Sequence, residues 1–294
     1  MKVAIVGGAG KMGLWVARHL LAENIDVVLI DENAMRLSAA SSELKTVGTT
    51  DISIAAKADT VVLAVPISVF EKVVKALKTK LRAGQKVIDI TSVKVMPVDV
   101  MHKYLPHCLT LGAHPIFGPG ALGFTKQNIV LTPATEEEYA FASDIQSWLE
   151  TRGAHVEIMS PTEHDRLMGT ILGLSHFIAI VAGDTLLHQP KSEHMELASS
   201  VTFRVLMTLI GSVLSEDPAL YAAIQTHLPE LPSMEKDFIQ RAQEWAHLIE
   251  NKDEAAFATR MAELKALLQQ KTPNSEQAYR DMYRLDINEQ NNAH

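Results

Sequence analysis

An apolar strand that runs straight into a glycine turn and then into a helix leaves a chain few folds to choose from. Lys2 to Gly7 is a short β-branched run, the pattern of a buried strand. Lys11 to Glu23 places Met12, Val16, Leu20 and Leu21 on one helical face. Between them lies Gly8-Ala9-Gly10-Lys11-Met12-Gly13. In this setting Gly8 is expected to make the tight turn. Gly10 leaves the backbone open to a pyrophosphate, and Gly13 lets helix and strand pack closely. The helix N-terminus then faces the phosphates, with Lys11 and Met12 in its first turn. A second buried strand, Asp26 to Ile30, ends at Asp31, 18 positions beyond Gly13. A carboxylate there accepts hydrogen bonds from ribose hydroxyls and repels a 2′-phosphate, which favours NAD; Arg36 nearby leaves NADP open. The plainer alternative is a glycine turn with Asp31 capping a helix over Glu32 to Leu37.

The strand–helix alternation continues. Thr60 to Val65, Lys86 to Ile90, Leu109 to Ala113, Asn128 to Leu131 and His155 to Ile158 read as strands. Ser68 to Leu81, a segment running through Val100, and Glu136 to Glu150 read as helices. This implies a parallel sheet covered on both faces. From Pro161 to Gln270 only helical periodicity remains, broken at Pro190, Pro218 and Pro232. The expected fold is therefore α/β: a Rossmann-type dinucleotide-binding domain over 1–160, then an all-helical substrate and dimerisation domain over 161–294. Lys271 to His294 is polar and weakly patterned, as in segments without stable structure.

Composition narrows the partners. The 294 residues carry a net charge of −8, against nucleic acid as a partner, because phosphate binding needs a basic surface. Cys108 is the single cysteine, which rules out an internal disulfide and fits a reducing, cytoplasmic setting. The start MKVAIVGG is a strand, not a signal peptide. The longest stretch without Asp, Glu, Lys or Arg, Leu167 to Gly183, contains Ser175 and His176 and reads as a buried helix rather than a membrane span. The histidines lack metal-ligand spacing, so no metal is expected.

Three polar segments stand where apolar residues would be expected. Thr91-Ser92-Val93-Lys94 and His114-Pro115-Ile116-Phe117-Gly118-Pro119 follow strands, at the carboxyl ends where open α/β sheets bind ligands. Glu163-His164-Asp165 leads into a helix carrying Ser175-His176-Phe177. Together with GGAGKMG, the SVK ending at Lys94, HPIFGPG, EHDRLMG, LSHF and the SSVTFR ending at Arg204, these resemble the prephenate dehydrogenase family over residues 1 to about 225. The resemblance implies oxidation of a ring alcohol by hydride transfer to a nicotinamide, with loss of the ring carboxylate as carbon dioxide. It implies His114 as the group that takes the hydroxyl proton, and Ser92 as its hydrogen-bonding neighbour. It implies Arg204 as the grip on a substrate carboxylate and His176 as a lining residue, in a homodimer built through the helical part. Some members carry a serine and a second histidine where this chain has Leu172 and Gly173, which makes the pocket here less polar and leaves the substrate open.

The chemistry supports the same roles independently. A histidine with a pKa near 6.5 accepts a proton at neutrality, and arginine offers a two-pronged donor to carboxylates. Plainer roles stand beside these. Arg204 pairs with Glu196 in an ordinary ion pair; Lys94 contacts substrate or cofactor, or is merely solvated; His164-Asp165 starts a helix with a structural hydrogen bond. Arogenate is the alternative substrate to prephenate. The same two-domain architecture also suits a β-hydroxy-acid dehydrogenase or a catalytically dead NAD-sensing module. A chain starting at its first strand is expected to lack a fused mutase domain, and its tail is too short for a regulatory one.

Overall fold

The computed structural model describes residues 1–190, 197–272 and 277–292, with backbone alone from 285 onward. The chain divides into two units. One comprises Met1–Met168 with Ala222–Pro229; the other comprises Gly169–Tyr221 and Glu230–His294.

The first unit is built on an eight-stranded sheet. Its strands are β1 (Lys2–Val6), β2 (Asp26–Ile30), β3 (Val47–Thr49), β4 (Thr60–Leu63), β5 (Lys86–Asp89), β6 (Leu109–Pro115), β7 (Asn128–Thr132) and β8 (His155–Ile158). Their spatial order is β3-β2-β1-β4-β5-β6-β7-β8. The reversal from β1 to β4 opens a crevice at the strands' carboxyl ends. The order follows from burial on both faces: β1, β2 and β4 are apolar almost throughout. Helices α1 (Lys11–Ala22) and α2 (Ala34–Leu44) cover one side, where Ala17, Leu37 and Ala40 pack with Val3, Ile5 and Leu29. Helices α3 (Ile67–Leu77) and α4 (Val95–Tyr104) bring Phe70, Val74 and Met101 into a core with Val6, Leu63 and Val87. Helix α5 (Glu136–Glu150) sets Phe141 and Leu149 against Leu111, Leu131 and Val156.

The sheet is not wholly parallel. β7 runs antiparallel to β6, pairing Val130 with His114 and Ile129 with Pro115. The segment 116–127 between them contains no helix, and only a crossover of that kind brings the chain back in the same sense. The aromatic ring of Trp15 on α1 fixes this connection. Its centroid lies 4.9 Å from that of Phe117, tilted, and 5.0 Å from that of Phe124, edge-on, and its Nε1 donates to the Ala121 carbonyl at 2.6 Å.

Helix α6 (Pro161–Met168) belongs by packing to the first unit, although periodicity alone puts the boundary at 160. His164 and Asp165 are the reason, because their side chains bond to β6 and to the start of α4.

The second unit is helical. A π-turn over Gly169–Leu174 leads into α7 (Ser175–Leu187), followed by α8 (Val201–Leu214) and the first four residues of α9 (Pro218–His227). The last three helices are α10 (Leu231–Glu250), α11 (Glu254–Lys271) and α12 (Gln277–Asn292). Glycine permits close approach at two places. A Cβ on Gly173 would lie 2.7 Å from the Leu231 side chain, and one on Gly183 would lie 2.9 Å from Ile210 and Leu214. Within the polar tail Gln277–Asn292 is helical: α12 packs on α8, with Thr202 donating to the Met282 sulfur.

The uncharged stretch from Leu167 is helical, as expected, but largely unburied within this chain. The run Pro161–Leu187 is long and apolar enough to cross a membrane, with a mean hydropathy of 1.6 and only 17% of its apolar window buried. Ile171, Val181 and Leu187 are exposed.

Candidate active site

The glycine turn is built differently from the simplest reading. Gly7, not Gly8, takes the left-handed conformation, at φ 80°. A Cβ there would lie 2.4 Å from the Ala64 carbonyl oxygen. Gly8 instead fits between the Ile5 carbonyl and Leu29, and a Cβ on Gly13 would lie 2.3 Å from the Gly7 oxygen. At Gly10, among the described residues, a Cβ would meet only the Gly7 oxygen, at 3.2 Å, so that side of the loop is open. Gly10 begins α1 with no side-chain cap, so the helix's positive end is left to a ligand. Lys11 is exposed and Met12 half-buried beside it.

Asp31 is buried directly behind this loop. Its Oδ2 accepts the Ala9 amide at 3.1 Å, and its Oδ1 accepts the Asn33 amide at 3.0 Å. The cap of α2 is Asn33, whose Oδ1 accepts from the Arg36 amide at 3.0 Å, so Asp31 is not the cap. Glycine cradle, uncapped helix end and carboxylate together fit a dinucleotide.

At the carboxyl ends of β5 and β6 a buried polar network replaces apolar packing. His114 is the penultimate residue of β6 and is buried. Its Nδ1 lies 2.8 Å from Nε2 of His164. The His164 Nδ1 lies 2.7 Å from Oδ1 of Asp165. Asp165 in turn accepts the amides of Lys94 at 2.7 Å and Val95 at 2.9 Å, capping α4 from another helix. Burial pulls the His114 pKa well below the usual histidine value, and neighbouring His164 and Lys94 push the same way. Burial also lowers that of His164, against the opposing pull of its hydrogen bond to Asp165.

Lys94 is neither solvated nor turned outward. Its side chain is fully buried, its Nζ bonded to the Asp89 carboxylate and, at 2.8 Å, to the Ala113 carbonyl. Burial lowers its pKa, while Asp89 draws it back up. The His164-Asp165 pair makes the structural hydrogen bond expected of it, but not at a helix start. Ser160 and Pro161 start α6, and the pair lies in its interior, facing His114. An adjacent His-Asp in a short polar helix is the only sign of it that the sequence carries. Ser92 sits half-buried in the bend after β5.

Arg204 and His176 belong to the helical unit. Arg204, half-buried on α8, donates from Nη1 to the Ser199 carbonyl at 2.9 Å. Glu196, the ion-pair partner considered for it, lies outside the described residues. His176 opens α7 edge-on to Tyr221, centroids 4.7 Å apart, and its buried Nδ1 has no hydrogen-bond partner among the described residues. Burial lowers its pKa.

A doubly wound sheet with a glycine cradle, a carboxylate at the end of β2 and a buried histidine at the end of β6 defines a dinucleotide-binding protein of the dehydrogenase type. The chain belongs to the prephenate dehydrogenase family: residues 16–158 match its nucleotide-binding domain and residues 160–263 its dimerization domain. A probable arogenate/prephenate dehydrogenase of Methanocaldococcus jannaschii is 31% identical over 90% of this chain and 60% of its own length. The T-protein of Haemophilus influenzae is 31% identical over 87% of this chain and 64% of its own. The chain thus spans less than two thirds of these relatives. A 4-amino-4-deoxyprephenate dehydrogenase of Streptomyces pristinaespiralis is 25% identical over 91% of both chains. The fold is that of the A. aeolicus prephenate dehydrogenase solved with hydroxyphenyl propionate and NAD+, at a TM-score of 0.75, 24% identity, and coverage of 92% of this chain and 98% of that one.

Proposed function

We propose that this chain is an NAD-dependent dehydrogenase that oxidises and decarboxylates prephenate to 4-hydroxyphenylpyruvate in tyrosine biosynthesis. The observation that carries this is His114: a buried imidazole held neutral at the carboxyl end of the sheet whose first strand carries the glycine cradle. Gly8, Gly10, Lys11, Met12, Gly13 and Asp31 bind the dinucleotide, which supplies the hydride acceptor. His114 takes the hydroxyl proton as the ring C–H bond gives up its electron pair and a carbonyl forms. Ser92 holds that hydroxyl in line. The bond to the ring carboxylate then breaks, carbon dioxide leaves, and its electron pair makes the ring aromatic. Arg204 grips a substrate carboxylate, and the His176 Nδ1, without a partner among the described residues, offers a second polar contact. Lys94 we place as framework next to His114, since its side chain is buried and its ammonium bonds to Asp89 and the Ala113 carbonyl.

Arogenate is the second reading, because the M. jannaschii relative carries both names. Steady-state rates with prephenate and arogenate, each with NAD and NADP, decide between them. Turnover of neither substrate would refute the proposal. We further propose a cytoplasmic homodimer through the helical unit. Its support is the matched dimerization domain and the apolar surface of Ile171, Val181 and Leu187.

A further inference from the structure

The hydrogen bonds around Asp165 determine where every proton in this network sits. Backbone amides only donate, so both oxygens of Asp165 are acceptors: Oδ1 toward Lys94 and Oδ2 toward Val95. A carboxylate committed in this way has no proton to give, so the third contact, His164 Nδ1, must donate to it. A neutral His164 then presents a bare Nε2. The group facing that lone pair at 2.8 Å is Nδ1 of His114, which must carry the hydrogen. One position is left for the lone pair of His114, namely Nε2.

We propose that His164 and Asp165 are positioning residues that hold His114 in its Nδ1–H tautomer and thereby aim its basic nitrogen at the substrate. This rests on His114 being the base. The opposite arrangement requires His164 to be an imidazolium, whose Nε2–H would donate to His114 and leave a proton on the nitrogen that has to accept one. Burial and the Lys94 ammonium oppose that charge. The charged groups around the pair are Asp165, Lys94 and Asp89, and all three are occupied by the contacts already described. Once His114 takes a proton, its Nδ1–H still points at His164, with the carboxylate behind it. The new positive charge is therefore met without any rearrangement.

Nitrogen NMR of the full chain labelled with 15N-histidine reads the tautomer directly. The expected wild-type spectrum at pH 7 has His114 protonated at Nδ1 and bare at Nε2. A proton on Nε2 overturns the proposal, whatever the enzyme's substrate proves to be. Kinetics give an independent reading. His164→Leu removes the acceptor and should lower kcat by ~10- to 100-fold, short of losing the base itself. The KM for substrate and the Kd for NAD should stay within about twofold, because His164 is fully buried and offers no surface to a ligand. His164→Gln, whose side-chain carbonyl reaches the position of Nε2, should recover most of the loss. An unchanged kcat in His164→Leu, or equal losses in the Leu and Gln variants, refutes the positioning role. If the Leu variant does not fold, the wild-type spectrum still decides.

Discussion

Lys94 and Asp89 meet in the interior of the first unit, ammonium to carboxylate, with neither side chain reaching solvent. The pair ties the end of β5 to the start of α4. Through the Ala113 carbonyl it also holds the strand residue just before His114. Asp89 is further engaged, accepting the Thr91 amide at 2.8 Å. The polypeptide on either side of Ser92 is thus fixed from below by charge rather than by packing.

Removing one partner of such a pair strands the other. Lys94→Met should destabilise the fold by ~3–5 kcal/mol, because the Asp89 carboxylate stays buried and unpaired. Adding Asp89→Asn should restore part of that loss. Urea denaturation of the two variants checks this, and a single-variant loss below about 1 kcal/mol would mean the pair is not closed in solution.

His102 and Glu138 form a second pair, 2.7 Å apart, with Thr110 also donating to Glu138. The hydrogen bond to Glu138 raises the His102 pKa above 6.5, despite burial. Burial alone would raise that of Glu138, but the hydrogen bonds from His102 and Thr110 win and bring it below 4.5. A raised histidine contributes stability that is complete below its unfolded pKa and lost as pH rises through the folded value. A lowered carboxyl contributes stability present above its unfolded pKa and lost as pH falls. The contribution of the pair should therefore be greatest between about pH 4.5 and 6.5. The difference in Tm between wild type and His102→Gln, followed from about pH 4 to 9, should shrink on the alkaline side; a constant difference would show that no proton linkage exists.

The strands, the glycine cradle, Asp31 and His114 are legible in the sequence because each is a local signal: an apolar run, a spacing, or a polar residue at a strand end. What is not legible depends on neighbours far along the chain. Lys94 looks like a surface or ligand-binding lysine until Asp89 and Ala113 close over it. His164 and Asp165 look like helix-start residues until α6 packs them toward His114, 50 positions away. The reversed β7 follows from a missing crossover helix, and a run of loop residues does not announce its direction. The exposed apolar face of α7 reads as core in the sequence because periodicity reports that a side is apolar, not what covers it.

Asp31 should set the cofactor choice. Its side chain already accepts the Ala9 amide, so it stands against the glycine cradle. Asp31→Ala should raise kcat/KM with NADP relative to NAD by ~10-fold or more, since a carboxylate no longer opposes the 2′-phosphate, while kcat with NAD changes little. A wild-type enzyme equally efficient with both cofactors would remove the basis for this.

Arg204 tests the substrate side. Arg204→Ala should raise the KM for prephenate by an amount equivalent to ~2–5 kcal/mol, the cost of leaving a buried charge unpaired. NAD affinity should hardly change. A KM within twofold of wild type would show that another cation binds the carboxylate.

His114 carries the sharpest expectation. General-base catalysis contributes ~10²–10⁴-fold, so His114→Asn should lower kcat by that order and leave NAD affinity unchanged. The pH profile carries further information. A base works only when unprotonated, so kcat falls as pH drops through its pKa in the ternary complex. In the chain itself burial, together with the nearby His164 and Lys94, lowers the His114 pKa well below 6.5. The wild-type kcat should therefore stay level from about pH 8 through pH 6.5 and turn down only in more acidic buffer, whereas an exposed histidine would already be half protonated at about pH 6.5. In His114→Asn the acid limb should disappear. If the limb survives the substitution, the proton goes elsewhere, and His176, whose Nδ1 has no partner among the described residues, is the next residue to replace.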